Sequence, residues 1–357
     1  MNIIRNTAAI AAALVVAPPI FAHHSEAGMD MESVIAFEGT VNRFSWRNPH
    51  VYVIVETEKS GEPVEWELQL GPINILTRRG WTRDSLSPGD QVAIRAIPMA
   101  DGRPYGILRS IDKEGFALAA WTQTPAVTAT ATSLAGKWTA QRPGAGPGAG
   151  PAPAPAPAPG ADGAPPCTSG FDCFFKANLV LTDAGKAAAE SYDPLSADNP
   201  EATCVGRPTP SALVSARGYL LEFDLSDAEE KILIRSEWFN EERTIWMDGR
   251  THPDGSETLV TGHSIGHWEG DTLVIDTRNF DDHRSPYQIG VPSGSQKHVV
   301  ERYRLNDDGT SMQAEFMLED PEFLAESFTN RKNLYFSPHM EMLTGSCDTE
   351  NAGRWLN

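Results

Sequence analysis

The amino-acid sequence predicts a mainly β protein that contains two barrels and only short helices. Short runs rich in valine and isoleucine, with polar residues at alternate positions, recur along most of the chain. Clusters of glycine, proline, asparagine and aspartate separate these runs, as is typical of turns between strands. At 357 residues the chain is long enough for two ordinary domains.

A secretory signal peptide is predicted at residues 1–22. Arg5 supplies the short basic region, residues 8–17 the apolar stretch, and Ala22 the small residue before the cleavage point. The apolar stretch is interrupted by two prolines and is too short to span a bilayer. We therefore expect export to the periplasm, without membrane insertion of the mature chain.

Cleavage at this point leaves His23 and His24 at the start of the mature protein. An N-terminal amine and an imidazole together favour copper, because nitrogen donors bind this metal strongly. His50 is a candidate third ligand, and no other cofactor is expected. The alternative is a frayed polar terminus and an ordinary loop histidine.

The pattern of residues 23–118 predicts a first, small barrel. Strands are expected at 35–44, 51–57, 64–70, 91–97 and 105–111. Between the third and fourth strands, Pro72 and Gly80 bracket a short helix. Three strands, a helix and two further strands are the order of an OB-type barrel.

This segment also resembles a family of small exported bacterial domains of unknown function, DUF6152. The matching residues are Ala22 to Ser25, Glu38 to Val41, Trp46 to His50, Leu76, Arg78 to Leu86, and Pro88 to Asp90. The resemblance implies an exported β-barrel module and no established activity.

A change of composition marks the boundary to the second domain. Residues 119–133, rich in alanine and threonine, are predicted to be a linker, and residues 134–357 a second domain. Residues 142–166 are dominated by proline, alanine and glycine, which favours extended polyproline II structure. Because Trp138 is expected in a first strand, this stretch is an insertion within the second domain.

The second domain is predicted to be a closed antiparallel barrel of lipocalin-like size. A helix is expected near residues 181–192, with Thr182 as its cap. Eight or nine short strands are expected at 212–225, 231–238, 243–247, 258–263, 272–277, 297–305, 311–319, 330–336 and 340–345. Closure removes the exposed edges that so many strands create. A curved sandwich is the alternative.

The second domain resembles a recurrent, uncharacterised β-rich domain of exported bacterial proteins. The matching residues are Leu181, Thr182, Gly185, Tyr192 to Pro194, Cys204, Trp246 to Arg250, His252, Pro253, Gly262 to Phe280, and His298 to Tyr303. This resemblance implies membership of a family and supplies no mechanism.

Four cysteines remain after removal of the signal peptide, and an oxidising compartment favours two disulfides. Cys167 and Cys173 are close enough in sequence to close a small local loop. Cys204 and Cys347 then tie the start of the last domain to its end. No two of these cysteines have the Cys-x₂-Cys spacing of a zinc site.

The formal net charge of −19 argues against two classes of partner. Binding to nucleic-acid phosphates needs clustered lysine and arginine, and the same holds for anionic lipid surfaces. We therefore expect no nucleic-acid partner, and a small molecule or another envelope protein as partner.

The strand predicted at 297–305 carries the most informative polar residue. Alternation places Glu301 on one face with Val299 and Tyr303, and His298 on the other face. Glu301 therefore points into the barrel, where it is a candidate general base, a ligand-orienting group, or the partner of an inward Arg243 or Arg250. His263 and His298, with Glu269 and Glu301, are candidates for metal binding or acid–base chemistry.

These residues lead to one function hypothesis and three alternatives. We expect a non-enzymatic periplasmic binding protein whose barrel holds a small apolar or cationic ligand, oriented by Trp246, His263, Trp268 and Glu301. Phosphate-loop, dinucleotide and His-Glu-x-x-His motifs are absent from the sequence. The alternatives are an enzyme with an acid–base pair from His263, His298 and Glu301, a copper-binding protein, and a protein–protein interaction scaffold.

Overall fold

The structure is a computed structural model that describes residues 28–114, 116–117, 128–142, 171–255 and 257–356. The predicted signal peptide, His23, His24, much of the linker and nearly all of the proline-rich insertion lie outside these residues. Cys167 and the side chain of Cys173 also lie outside them, so their pairing stays a prediction.

The first barrel is formed by five strands and extended by a sixth. The elements are β1 (Ile35–Ser45), β2 (Tyr52–Lys59), β3 (Glu62–Gln69), α1 (Ile73–Arg78), β4 (Gln91–Pro98), β5 (Tyr105–Lys113) and β6 (Phe116–Ala117). Strand order β3-β2-β1-β4-β5 is closed by a parallel pairing of β3 with β5. This connectivity, with α1 between β3 and β4, confirms the predicted OB-like barrel. Irregular register in β1 and β4 bends these strands, which helps a small barrel to close.

The described part of the second domain forms nine strands and four α-helices. The strands are β7 (Gly136–Thr139), β8 (Leu221–Asp224), β9 (Lys231–Ser236), β10 (Glu242–Trp246), β11 (His263–Glu269), β12 (Thr272–Arg278), β13 (His298–Leu305), β14 (Ser311–Glu319) and β15 (Phe328–Phe336). The helices are α2 (Phe171–Asn178), α3 (Asp183–Glu190), α4 (Ser211–Ser215) and α5 (Thr349–Ala352). Short 3₁₀ turns lie at Pro200–Thr203, Trp238–Asn240 and Arg354–Leu356.

These nine strands close into the predicted barrel, in the order β10-β11-β12-β13-β14-β15-β7-β8-β9. Neighbouring strands are antiparallel except β10 and β11, where Ile245 pairs with Ser264 in parallel. The long connection from residue 247 to 262 permits this exception, because parallel neighbours need a crossover rather than a hairpin. Gly270, at φ 59°, makes the tight turn between β11 and β12.

Three predicted strands differ from the observed elements. The strand predicted at 258–263 lies later in the chain, as β11 (His263–Glu269), and before it Leu259 forms only an isolated bridge with Phe280. Residues 212–225 begin with α4, and only Leu221–Asp224 forms a strand. Residues 340–345 form no strand, because the chain leaves the barrel after β15. The pattern of alternating apolar residues is present in the last two segments, but neither has a sheet edge to pair with along its whole length.

The interior of the nine-stranded barrel is filled by side chains. On β14, Met312, Ala314, Phe316 and Leu318 all point inward and are fully buried. Aromatic side chains from other strands complete the core, including those of Trp138, Phe223 and Tyr303. The barrel interior is therefore a packed core rather than a ligand cavity.

The C-terminal segment, residues 340–356, connects the two barrels. The Asp348 amide donates to the Asn48 carbonyl oxygen at 3.0 Å, and Arg354 Nε lies 2.7 Å from Glu67 Oε1. The predicted disulfide between Cys204 and Cys347 is present. We call the region where residues 43–50 and 72–83 meet residues 201–240 and this segment the domain joint.

Candidate functional site

The predicted site residues are divided between the two faces of the nine-stranded barrel. Glu301 points inward and is 1% exposed. Its Oε2 accepts a hydrogen bond from Arg243 Nη1 at 2.6 Å, and its Oε1 accepts one from the Tyr303 hydroxyl at 2.6 Å. The ion pair with Arg243, one of the alternatives for Glu301, is therefore the arrangement observed. Both carboxylate oxygens are occupied by protein groups.

His263 and His298 lie on the outer face, together with two residues that sequence reasoning did not select. His252 follows β10, and its Nε2 lies 2.9 Å from Asp276 Oδ1. His298 Nε2 lies 2.9 Å from Asp276 Oδ2, and His263 Nδ1 lies 2.9 Å from His252 Nδ1. We call His252, His263, Asp276 and His298 the histidine network.

The network fixes the positions of several protons. Burial raises the pKa of Asp276, but hydrogen bonds and charge from His298, together with His252 and Arg278, lower it to about 2. Asp276 is thus an ionised acceptor, and both Nε2 atoms facing it carry protons. When His252 is neutral, its Nδ1 carries no proton and must accept a hydrogen bond from the Nδ1–H of His263. His263 Nε2 then carries a lone pair and no proton.

His263, His298 and Glu301 do not converge on one site. His298 and Glu301 lie three positions apart on β13, so their side chains point to opposite faces of the sheet. The expected ligand group is divided for the same reason. Trp246 is covered by the Arg250 guanidinium, 3.6 Å from its ring centroid, and Trp268 is 43% exposed near the end of β11.

The described residues do not assemble a metal site. Among them, no group of three or more histidine, cysteine, aspartate or glutamate side chains has a metal-binding arrangement. His50, the candidate third copper ligand, faces the domain joint, with its Nδ1 3.3 Å from the Leu70 carbonyl oxygen. Burial lowers the pKa of His50 to about 4. His23 and His24 lie outside the described residues.

Residues 262–266 have the sequence Gly-His-Ser-Ile-Gly, which matches the Gly-x-Ser-x-Gly motif of a hydrolase nucleophile elbow. The elbow requires a sharp turn between a strand and a helix. Ser264 instead lies within β11, is 1% exposed, and shares a 2.9 Å hydrogen bond with Thr277 Oγ1. The motif therefore does not identify Ser264 as a nucleophile.

A cavity of about 90 Å³ lies in the domain joint. Residues of both barrels and of the C-terminal segment line it, and its walls include Pro49, His50, Tyr219, Trp238, Phe239 and Leu343. The rings of Tyr219 and Trp238 meet edge to face, with centroids 4.5 Å apart. We call this cavity the aromatic cleft.

The backbone of the aromatic cleft is held in an unusual conformation. Phe239 and Asn240 are consecutive non-glycine residues with φ of 55° and 52°. A bulky residue such as phenylalanine rarely adopts positive φ, and such strain concentrates at binding sites. The Asn240 side chain is bonded to the backbone of Gly345 at both its donor and its acceptor atoms.

Polar groups in the cleft wall differ in how well they are satisfied. The Glu237 carboxylate, 6% exposed, accepts hydrogen bonds from Asn74, Arg78, and the amides of Leu220 and Leu343. In contrast, the buried Trp238 Nε1–H has no hydrogen-bond partner among the described residues. Such a buried donor normally has a partner, so this N–H is the group that a ligand can satisfy.

The fold and clefts together define a protein of two packed β-barrels with cavities where they meet. Residues 11–109 match the family described as a family of unknown function, DUF6152, which confirms the resemblance of the N-terminal part. The C-terminal part matches no family, and its resemblance stays a prediction. No curated protein matches the chain. Among the described residues, no helix is long and apolar enough to cross a membrane.

Proposed function

We propose that the protein is a non-enzymatic periplasmic binding protein that holds a small, largely apolar ligand in the aromatic cleft. The observation that carries this proposal is the cleft itself, with aromatic walls, a strained backbone and an unpartnered indole N–H. A barrel-interior site has less support, because the interior is filled and Glu301 is already paired.

The lining of the cleft restricts the ligand. Its two buried carboxylates, Glu201 and Glu237, are already paired with Arg207 and Arg78, so a cationic ligand gains little from them. The volume lies below the usual range of roughly 300–1,000 Å³ for drug-sized ligands. We therefore expect a molecule of one ring, with an oxygen acceptor for the Trp238 N–H.

Native mass spectrometry of protein purified from the periplasm tests for a retained ligand. A titration with phenol, as a one-ring probe, then tests the site through the indole N–H resonance of Trp238, assigned with Trp238→Phe. We expect a saturable shift of this resonance. Trp238→Phe should weaken phenol binding several-fold, whereas the matched control Trp268→Phe, an exposed tryptophan elsewhere, should not. An unmoved Trp238 resonance at saturating phenol contradicts the proposal.

A second candidate function is acid–base catalysis by His263. It is favoured by the chain of hydrogen bonds from Asp276 through His252, which leaves His263 Nε2 as a lone pair. Partial burial, with repulsion from His252 and Arg250, lowers the pKa of His263 and keeps it neutral at pH 7. A neutral, oriented imidazole is a suitable general base.

Hydrolysis of p-nitrophenyl acetate tests this second function. We expect His263→Gln to lower the protein-catalysed rate to the level of buffer. His267→Gln is the matched control, because His267 lies on the same strand and the same outer face. Equal rates in the unmodified protein and both variants contradict a role for His263.

A further inference from the structure

A second cavity in the domain joint has a different chemical character. It has a volume of about 300 Å³ and is lined by the end of β1, the loop after α1, and the C-terminal segment. Four arginines line it, Arg43, Arg47, Arg83 and Arg354, beside Phe44 and Trp46. We call it the arginine cleft. The C-terminal segment contributes residues to both cavities and stands between them.

The concentration of positive charge in this cleft is unusual for such an acidic protein. The chain carries a net charge of −19, yet four arginines line the cleft, and two acidic residues, Asp348 and Glu350, line it with them. Arg47 pairs with Asp348 at 3.0 Å, and Arg354 pairs with Glu67. Both pairs link the first barrel to the C-terminal segment.

The other two arginines are not used in this way. Arg43 and Arg83 are both exposed, and neither makes a hydrogen bond or ion pair with the described residues. Burial raises the pKa of the Glu67 carboxyl group, and Arg43 opposes this rise only at longer range, after Arg354. Two unpaired guanidiniums beside two paired ones repel one another, and a bound anion relieves this repulsion.

The cleft also has an apolar wall. Phe44 and Trp46 are partly buried, with ring centroids 5.7 Å apart, and Phe44 lies 6.2 Å from Trp81. Guanidinium groups bind carboxylates and phosphates through paired hydrogen bonds and also stack on flat rings. The volume lies at the lower end of the range for small-molecule sites.

We propose that the arginine cleft binds a small organic anion, with the anionic group on Arg43 and Arg83 and a flat apolar body on Trp46. The anionic group is a carboxylate or a phosphate, since both suit guanidinium donors. This site goes beyond the aromatic cleft, because its ligand is an anion instead of a neutral apolar molecule and contacts other residues. The protein then has two ligand sites, which share the C-terminal segment as a wall.

Isothermal titration of the mature protein with benzoate and with phenyl phosphate tests the proposal and identifies the preferred anionic group. We expect saturable binding of at least one, weakened by salt because the contacts are ionic. Arg43→Gln together with Arg83→Gln should weaken it by roughly tenfold or more. The matched control Arg331→Gln, an exposed arginine on β15, should leave the affinity unchanged.

Two further measurements complete the test. Acetate, which lacks a ring, should bind more weakly than benzoate, and Trp46→Leu should remove this difference. Trp238→Phe should leave benzoate affinity unchanged, which separates this site from the aromatic cleft. The proposal is overturned by equal affinity in the double variant and the control, by equal binding of the cation benzamidinium, or by no saturable binding of either anion.

Discussion

The interior of the nine-stranded barrel and the domain joint treat polar groups in opposite ways. Inside the barrel, Glu301 and Arg243 are buried together, and Tyr303 donates to the second carboxylate oxygen of Glu301, although Arg243 Nε has no hydrogen-bond partner among the described residues. In the joint, the Trp238 indole N–H and the Arg43 and Arg83 guanidiniums have no partners among the described residues. The difference suggests that the barrels supply stability, whereas their meeting surfaces supply unsatisfied groups for ligands.

The strongest test of this comparison removes one half of the buried pair. Glu301→Leu leaves Arg243 buried without its counter-ion, and we expect a loss of about 3–5 kcal/mol in the free energy of unfolding, measured in urea. The double variant Glu301→Leu with Arg243→Met should recover most of this loss, because no charge is then left unpaired. Phenol binding should persist in the double variant.

A single variant that costs less than about 1 kcal/mol contradicts a purely structural role for the pair. It would indicate that water or a ligand reaches Arg243, so that the interior is not a closed core. The contrast between a closed barrel interior and a ligand-accessible domain joint would then be wrong for the interior.

The second test acts on the joint. Cys204→Ser with Cys347→Ser frees the C-terminal segment, which lines both clefts. The cysteines are 143 residues apart, and removing a disulfide typically costs about 2–4 kcal/mol. We expect this loss in thermal unfolding of the oxidised protein, with weaker binding of both phenol and benzoate.

The control for the second test is the same pair of titrations on the unmodified, oxidised protein at equal temperature. Unchanged affinity at both clefts, together with reduced stability, would show that the C-terminal segment is held by its contacts with Asn48 and Glu67 alone. The clefts would then be independent of the disulfide.

The Tyr287 hydroxyl is an exception to the comparison, and so is Lys297, which is buried immediately before β13; neither has a hydrogen-bond partner among the described residues. The Nζ of Lys297 lies 4.4 Å from the ring centroid of Phe280 and 5.1 Å from that of Tyr287. Burial lowers the pKa of Lys297 to about 7, against the attraction of Asp320. An unfolded lysine remains protonated up to about pH 10.4.

Lys297→Met should therefore stabilise the protein by up to about 4 kcal/mol at pH 7. In the unmodified protein, stability rises as the pH increases from about 7 towards 10.4, because the unfolded state loses its excess proton. The advantage of the variant should disappear over the same range. Unfolding free energies at pH 7 and pH 10 measure this change.

Lys332→Met is the matched comparison. Lys332 is also largely buried, but its Nζ donates to the carbonyl oxygens of Leu213 and Val214. Lys332→Met should stabilise the protein less than Lys297→Met does, or should destabilise it, because these two hydrogen bonds are lost. If Lys297→Met destabilises at pH 7, Lys297 has a bound partner, and the barrel interior holds a site of its own.

The sequence was informative where local patterns determine structure. Alternation correctly placed Glu301 inside and His298 outside, and the order of strands and helix correctly predicted the OB-like barrel. Pairing of Cys204 with Cys347 followed from the proximity of the other two cysteines. Each of these predictions depends on neighbouring residues or on a count.

The remaining features depend on contacts between distant segments. The aromatic cleft combines residues near 50, 238 and 345, and no periodic pattern links these positions. His252 reaches Asp276 from an irregular connection, so strand alternation does not predict the histidine network. The adjacent aromatics Trp238 and Phe239 were the only local sign that a wall of a site lay there.

The smallest expected effect concerns the outer face of the barrel, where Asp276 is partly exposed. Asp276→Asn retains the shape of the side chain but removes its charge. The NH₂ group of the asparagine must then face the Nε2–H of His252 or of His298. We expect a loss of about 1 kcal/mol at pH 7, since the side chain is 31% exposed and water screens part of the interaction.

The dependence on pH identifies the charge as the cause. Because the pKa of Asp276 is lowered to about 2, its contribution is present above about pH 3.9 and is lost as the pH falls through 2. The difference between the two proteins should shrink over this range. Asp271→Asn, at the exposed turn of the same hairpin, should have no measurable effect at any pH. A loss in Asp276→Asn that is independent of pH would mean that shape rather than charge holds the network, and that His263 is not oriented by Asp276.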